Sequence, residues 1–247
     1  MELFYTFPEN IALDSGRIII DGDEFHHLVR VLRKKTGEGI VVTDGDGLRC
    51  EARISDIGKS SLACEILCHS RVERPKTRVT VALSLLKAPQ RFDLFLEKAT
   101  ELGVSAIIPL ISTRTISQPS SEKVQAKLKR WRTIMLSAAR QSKRYYLPEI
   151  SEPLPFKKAL ALQGFDLKLI PYELSESPPR VHCFTKNILF LIGGEGGFTD
   201  GEIGEARAAG FGEISLGKTI LRAETAGIFA VAFVRTQLLA EECTEWF

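Results

Sequence analysis

Two glycine-rich loops near the C-terminal end constrain the fold of this chain most tightly. Gly193-Gly194-Glu195-Gly196-Gly197-Phe198 follows the apolar run 188–192. Leu216-Gly217-Lys218-Thr219-Ile220-Leu221-Arg222-Ala223-Glu224-Thr225-Ala226 closes the short run 213–216. Short apolar runs bounded by glycine read as buried strands. Glycine is the residue of choice where backbone must approach backbone or a ligand closely. Ligands in open α/β sheets bind beyond the carboxyl ends of the strands. Two such loops on neighbouring strands therefore predict one shared pocket.

The rest of the chain past residue 76 fits that architecture. Strands are expected at 78–86, 104–110, 167–171, 188–192 and 213–216, and helices at 92–102, 122–141, 200–209 and 224–239. The first helix carries Phe92, Phe95, Leu96, Ala99 and Leu102 on one face and stops at Gly103. Strands alternating with helices predict a parallel sheet covered on both faces. Residues 173–187, with Pro178-Pro179, read as a surface excursion, and 71–76 as a linker.

Ahead of that linker the pattern is mostly β. Strands are expected at 39–43, 48–54 and 61–67, and Asp44-Gly45-Asp46-Gly47 is a hairpin turn because Asp-Gly supplies positive φ. One helix, 23–33, places Phe25, Leu28, Val29 and Leu32 at helical spacing, with Asp21 or Asp23 as N-cap. Two domains are therefore expected, 1–72 and 73–247. Cys64 and Cys68, four residues apart, are expected on one strand face.

Charge is segregated. Residues 1–70 hold 8 Lys+Arg against 12 Asp+Glu, residues 71–150 hold 16 against 6, and residues 151–247 hold 9 against 13. A basic middle between acidic flanks suits docking on a polyanion such as RNA. Arg140, Gln141 and Arg144 beside Tyr145-Tyr146 combine cations with stacking rings, as RNA contacts do. Arg30, Arg33 and Lys34 form the one basic patch of the acidic first unit.

Several classes are disfavoured. The N-terminus lacks the basic region and apolar core of a secretory signal. The longest apolar run, 226–234, is shorter than the about 20 residues a bilayer needs. The five cysteines include no CxxC pair, and the four histidines show no metal-ligand spacing, so free thiols, no metal and a cytoplasmic setting are expected. Residues 212–219 satisfy GxxxxGK[ST], but a helix precedes them and Glu-Ile-Ser-Leu inside them reads as a strand, so a phosphate loop is not expected. A dinucleotide fingerprint also fails, since Thr199 stands where its third glycine belongs.

The paired loops resemble those of the knotted (SPOUT) methyltransferases, and more narrowly the bacterial 16S ribosomal RNA uridine-N3 methyltransferases. His27-Leu28…Val31-Leu32-Arg33, Glu97-Lys98-Ala99-Thr100-Glu101-Leu102-Gly103-Val104 and Ala138…Gln141-Ser142…Arg144 resemble the same family, so the likeness covers essentially the whole chain. One departure is Gly194, where that family usually has proline. The resemblance implies an α/β domain with a parallel sheet whose C-terminal segment threads a trefoil knot, behind a small PUA-like RNA-binding domain. It implies S-adenosylmethionine in the pocket of the two glycine loops, with the loop after Leu169 as a third wall. It also implies a homodimer and 16S rRNA of the small subunit as substrate. The alternatives are a knotted methyltransferase for transfer RNA or a ribose 2′-OH, and an inactive RNA-binding assembly factor.

On that reading Gly193, Gly196 and Gly217 let backbone touch adenine and ribose, and Leu216, Ile220 and Leu221 supply apolar walls. Glu195 either binds ribose or caps a helix, and Thr225 belongs to the same loop motif. Uridine N3 must lose its proton, and the developing charge spreads onto the ring oxygens. A fixed guanidinium, Arg222, suits that charge, and Glu224 is placed to orient the arginine or take the proton; alternatively the two form a structural pair.

Overall fold

In a computed structural model, residues 2–116, 119–173, 175 and 182–244 are described. The chain divides into two compact units: residues up to Arg74 with Ala139–Leu147, and Pro75–Ala138 with Pro148 onward.

The smaller unit is a six-stranded sheet. Its strands are β1 (Leu3–Tyr5), β2 (Ile11–Ala12), β3 (Arg17–Asp21), β4 (Gly39–Thr43), β5 (Leu48–Ile57) and β6 (Ser61–Arg71), in the order β1-β4-β5-β6-β3-β2. β4 and β5 pair antiparallel across the Asp44–Gly47 turn, as expected, and β1 lies parallel to β4. The core alternates along the strands, with Ile18, Ile20, Ile40, Val42, Cys50, Ala52 and Ile54 buried. Helix α1 (Gly22–His26) passes into a π-helical turn, His27–Val31, which buries Leu28 against that core. Asp21 is its N-cap residue but makes no side-chain capping bond.

Cys64 and Cys68 do not share a face. Glu51 pairs with Cys68 while Ala52 pairs with Ile66, so Leu67 is an extra residue in β6. Such a bulge reverses the side-chain alternation, leaving Cys64 buried and Cys68 exposed.

The larger unit is a wholly parallel sheet among the described residues. Its strands are β7 (Arg78–Ser84), β8 (Ala106–Ile111), β9 (Glu149–Ile150), β10 (Leu154–Pro155), β11 (Leu167–Pro171), β12 (Asn187–Ile192) and β13 (Gly212–Ile214). The order is β10-β8-β7-β12-β11-β13, with β9 on β8. The helices are α2 (Pro89–Leu102), α3 (Ser121–Gln141), α4 (Phe156–Leu160), α5 (Asp200–Ala208) and α6 (Ala223–Thr244).

Alternation along the central strands feeds two cores. Val79, Val81, Leu83, Ile188, Phe190 and Ile192 face α2, α3 and α6. Ala82, Leu189 and Leu191 face α4 and α5. Continuous apolar strands are what a sheet buried on both faces requires. Helix α2 starts with Pro89 and ends at Gly103 in the left-handed region, φ 104°. The stretch Ala223–Ala240 of α6 is long and apolar enough to cross a bilayer, but Ala230, Val231 and Val234 are buried in the core. Of the expected excursion at 173–187, residues 174 and 176–181, Pro178-Pro179 among them, lie outside the described residues.

Candidate functional site

The carboxyl ends of β12, β11 and β13 are neighbours, and they open on one cleft. β12 runs out at Ile192 into Gly193 and Gly194, β11 at Pro171 into Tyr172 and Glu173, and β13 at Ile214 into Ser215, Leu216 and Gly217. Thr219, Ile220 and Leu221 with Ala223 and Ala226 of α6 close it. The cavity volume is about 130 Å³, and the cleft opens to solvent. Apolar side chains beside exposed backbone groups suit a flat heteroaromatic ring joined to a polar sugar.

The local sequence explains the walls. A Cβ at Gly193 would stand 3.0 Å from the Gly197 carbonyl carbon and Cα, so only glycine lets this loop fold back on itself. The Gly197 amide bonds the Gly194 carbonyl at 3.0 Å. Gly217 turns the second loop at φ +119°. Thr199 and Glu202 form a reciprocal capping box that fixes the exit of the first loop into α5.

Of the residues expected to bind the cofactor, the structure brings Gly193, Leu216, Gly217, Ile220 and Leu221 together around the cleft. Leu169 does not reach it. It is buried within β11, two residues short of the strand end, and it is Tyr172 and Glu173 that form the third wall. Glu195, Gly196 and Thr225 are exposed outside the lining. Glu195 caps no helix: its Oε1 accepts the Lys87 amide at 2.9 Å.

Arg222 is exposed on the rim beside Leu221, and among the described residues its guanidinium makes no ion pair. The expected Arg222–Glu224 pair is absent. Glu224 is 5% exposed and does not line the cleft. Its Oε1 lies 3.8 Å from Arg91 Nε of α2, and its Oε2 is buried without a hydrogen bond. The pairing joins residues 133 positions apart, beyond the reach of local pattern. Not named as binding residues from the sequence were Pro171, Tyr172, Glu173, Ile192, Gly194, Gly197, Phe198, Ser215, Thr219, Ala223 and Ala226 of the lining. The only signal for them was adjacency to strand ends and glycines.

In the smaller unit the expected RNA residues separate into two sets. Arg30, Arg33 and Gln141 are exposed, and Arg33 sits at φ 54° just past the π-helical turn. Lys34 is half-buried and faces Glu2 and Glu38, each at 3.4 Å. Arg140 is not a free cation: Nη1 donates to Glu24 Oε2 at 2.7 Å in a half-buried pair. Glu24 also accepts the Tyr5 amide at 2.8 Å. Burial raises the Glu24 pKa above the ordinary carboxylate value, against the pull of those partners. The Arg144 carbonyl accepts the Tyr5 hydroxyl, and burial pushes that hydroxyl's pKa up as well.

The two tyrosines beside these arginines serve protein contacts. Tyr145 Oη accepts from Arg49 Nε at 3.1 Å, and Tyr146 Oη donates to the Val72 carbonyl at 2.8 Å under the Arg74 guanidinium. The Tyr146 ring already has the Arg74 guanidinium over one face.

Comparison with known proteins places this geometry. Residues 73–235 match the RNA methyltransferase domain and residues 20–67 the RNA methyltransferase PUA domain. The chain is 35% identical over 238 residues to a ribosomal RNA small subunit methyltransferase E of Synechocystis, covering 94% of this chain and 76% of that one. The Bacillus subtilis protein of the same name is 29% identical, covering 89% and 91%. Among solved structures, ribosomal RNA small subunit methyltransferase E from Neisseria gonorrhoeae bound to S-adenosyl methionine superposes with a TM-score of 0.86 at 32% identity, covering 96% and 97%. With a PUA-like unit, a parallel-sheet unit and this likeness along nearly its whole length, the chain belongs to the ribosomal RNA small subunit methyltransferase E family.

Proposed function

We propose that this chain methylates N3 of a uridine in the 16S RNA of the small ribosomal subunit, using S-adenosylmethionine, as a cytoplasmic homodimer. The observation that carries the reading is the cleft over the carboxyl ends of β12, β11 and β13. It lies in a chain one third identical to a relative whose structure holds S-adenosyl methionine. Its residues fit that cofactor: Leu216, Ile220 and Leu221 offer apolar walls, and the glycine loops offer backbone donors and acceptors. When bound, the cofactor supplies an electrophilic methyl group on a sulfonium centre.

The chain's own residues then hold the uridine and manage its charge. Arg222, exposed on the rim and unpaired, is free to donate to the ring oxygens as N3 loses its proton. Glu224, buried behind Ala223 and facing Arg91, anchors the first turn of α6 and so aims Arg222. Water or another group takes the proton on this reading, because Glu224 does not line the cleft.

Placement on RNA falls to the exposed Arg30, Arg33 and Gln141 of the smaller unit, which comprises residues up to Arg74 with Ala139–Leu147. Ile220 is 83% exposed, and Leu94 of α2 and Phe229 of α6 are 44% and 41% exposed. These exposed apolar side chains, with Ile220 in the cleft wall, support burial against a second copy. The family likeness supports a trefoil knot in the C-terminal segment.

Calorimetry with S-adenosylmethionine and with ATP tests the reading. One S-adenosylmethionine site per chain and no ATP binding are expected; ATP binding lost in Lys218→Ala would replace it with a nucleotide phosphate loop.

A further inference from the structure

Four of the five residues from Gly193 to Gly197 are glycine, so ordering this loop costs unusually large backbone freedom. Yet Gly193, Gly194, Gly197 and Phe198 form a wall of the cleft, and a wall must hold still to bind tightly. Three struts from outside the cleft hold it. The Glu195 carboxylate takes the Lys87 amide at 2.9 Å. Glu202 spans two segments, accepting the Thr113 amide on Oε1 at 2.8 Å and the Thr199 amide on Oε2 at 2.9 Å. Arg114, in the turn after β8, donates Nη1 to the carbonyls of Gly196 and Phe198 at 2.5 and 3.3 Å.

All three struts are charge-assisted, Arg114 through its donor and the two glutamates through their acceptors, and such bonds are about twice as strong as neutral ones. What sets Arg114 apart is its span on the loop. It grips two carbonyls two residues apart and so fixes the loop's curvature. Its aliphatic stem also packs on the loop, since a Cβ at Gly196 would meet Arg114 Cδ at 3.2 Å. The turn that carries it is itself rigid: buried hydroxyls of Ser84, Ser112 and Thr115 form a chain at 3.1 and 2.9 Å, and the Ser112 amide bonds Thr115 Oγ1.

We propose that Arg114 is a positioning residue for the cofactor cleft: it touches nothing inside the cleft but keeps the glycine loop in its binding form. The proposal rests on the cofactor reading above. A loop that is binding-competent only part of the time weakens apparent affinity by that fraction.

The test is calorimetry of S-adenosylmethionine on the full chain, with amide hydrogen exchange of residues 193–198 in the ligand-free protein. Wild-type binding comes first, and its absence would sink the cofactor reading rather than this proposal. Arg114→Ala should raise Kd about 10- to 100-fold, as a competent fraction of a few per cent requires, and should speed exchange across the loop. Arg114→Lys, which keeps one charged nitrogen, should fall between. Gly194→Ala should recover about 2- to 5-fold in the Arg114→Ala background by reducing the freedom of the unbound loop. A Cβ there makes only ordinary contact, 3.4 Å from Ser84 Cβ. Unchanged Kd with unchanged exchange would overturn the proposal, and so would normal cofactor affinity with weakened rRNA binding. Should Arg114→Ala not fold, Arg114→Gln decides: wild-type Kd and exchange in that variant would overturn the proposal.

Discussion

The packing of α6 on α2 yields a pair of substitutions with opposite predicted signs. Gly227 lies in α6 between Ala226, which lines the cleft, and the buried face of the helix. A Cβ added there would stand 2.7 and 2.9 Å from two ring carbons of Phe95. Carbon contacts are comfortable near 3.5–4.0 Å, so the ring or the helix must move by nearly an ångström. Phe95 is fully buried, with Phe92 packed against it at 6.0 Å between centroids. Overpacking of this kind costs roughly 1–3 kcal/mol. Replacing a mid-helix glycine with alanine returns about 0.5–1 kcal/mol. Gly227→Ala should therefore destabilise by up to about 2.5 kcal/mol, lowering Tm by roughly 2–4 °C for each kcal/mol. Gly204 in α5 is the control: it is exposed, and a Cβ there meets nothing within 4 Å. Gly204→Ala should stabilise by about 0.5–1 kcal/mol. Calorimetric thermal unfolding of the two variants reads the difference, and S-adenosylmethionine affinity should fall for Gly227→Ala alone. A rise in Tm for Gly227→Ala would show that the α2–α6 contact has slack, refuting the reasoning.

Arg222→Ala should change stability by less than about 0.5 kcal/mol, because the side chain is exposed and unpaired. It should slow methyl transfer by about 100- to 1,000-fold; near-normal single-turnover rates would remove Arg222 from the chemistry. Glu24 binds its proton more tightly folded than unfolded, since burial raises its pKa from 4.5. Its contribution to stability is thus complete below about pH 4.5 and is lost as pH rises through the folded value. Glu24→Gln should flatten that fall in Tm, and superimposable pH profiles would contradict the assignment. Burial pushes the Cys50 and Cys64 thiols up to about 11 and about 12, so both are neutral at pH 8. Iodoacetamide followed by peptide mass spectrometry should find Cys68 labelled before Cys50 and Cys64, and early labelling of Cys64 would show that the strand core opens readily.

What was legible in the sequence was whatever local chemistry decides. The Asp44–Gly47 turn, the stop of α2 at Gly103 and the apolar runs of β7 and β12 follow from positive φ, capping and burial, and each stands where expected. The glycine loops were legible because close backbone approach excludes other residues, as the 3.0 Å distance at Gly193 shows. Contacts between distant residues were not legible. Residues 139–147 group with the smaller unit through Tyr5, Glu24 and Asp46, some 100 or more positions away. Arg140 read as an RNA contact because nothing local reveals Glu24, and Glu224 read as a partner of Arg222 because nothing local reveals Arg91. Leu169 was misplaced by two residues along a strand, which is enough to move a side chain from the cleft into the core. The bulge at Leu67 likewise reversed the face of Cys68 without any mark in composition.

Methyl transfer from labelled S-adenosylmethionine to undermodified small ribosomal subunits, followed by digestion and nucleoside mass spectrometry, tests the central claim most directly. The account predicts 3-methyluridine in 16S rRNA from wild type and a loss of about 100-fold or more in the Arg222→Ala variant. A ribose-methylated product, or no product from a chain that binds the cofactor, would contradict it.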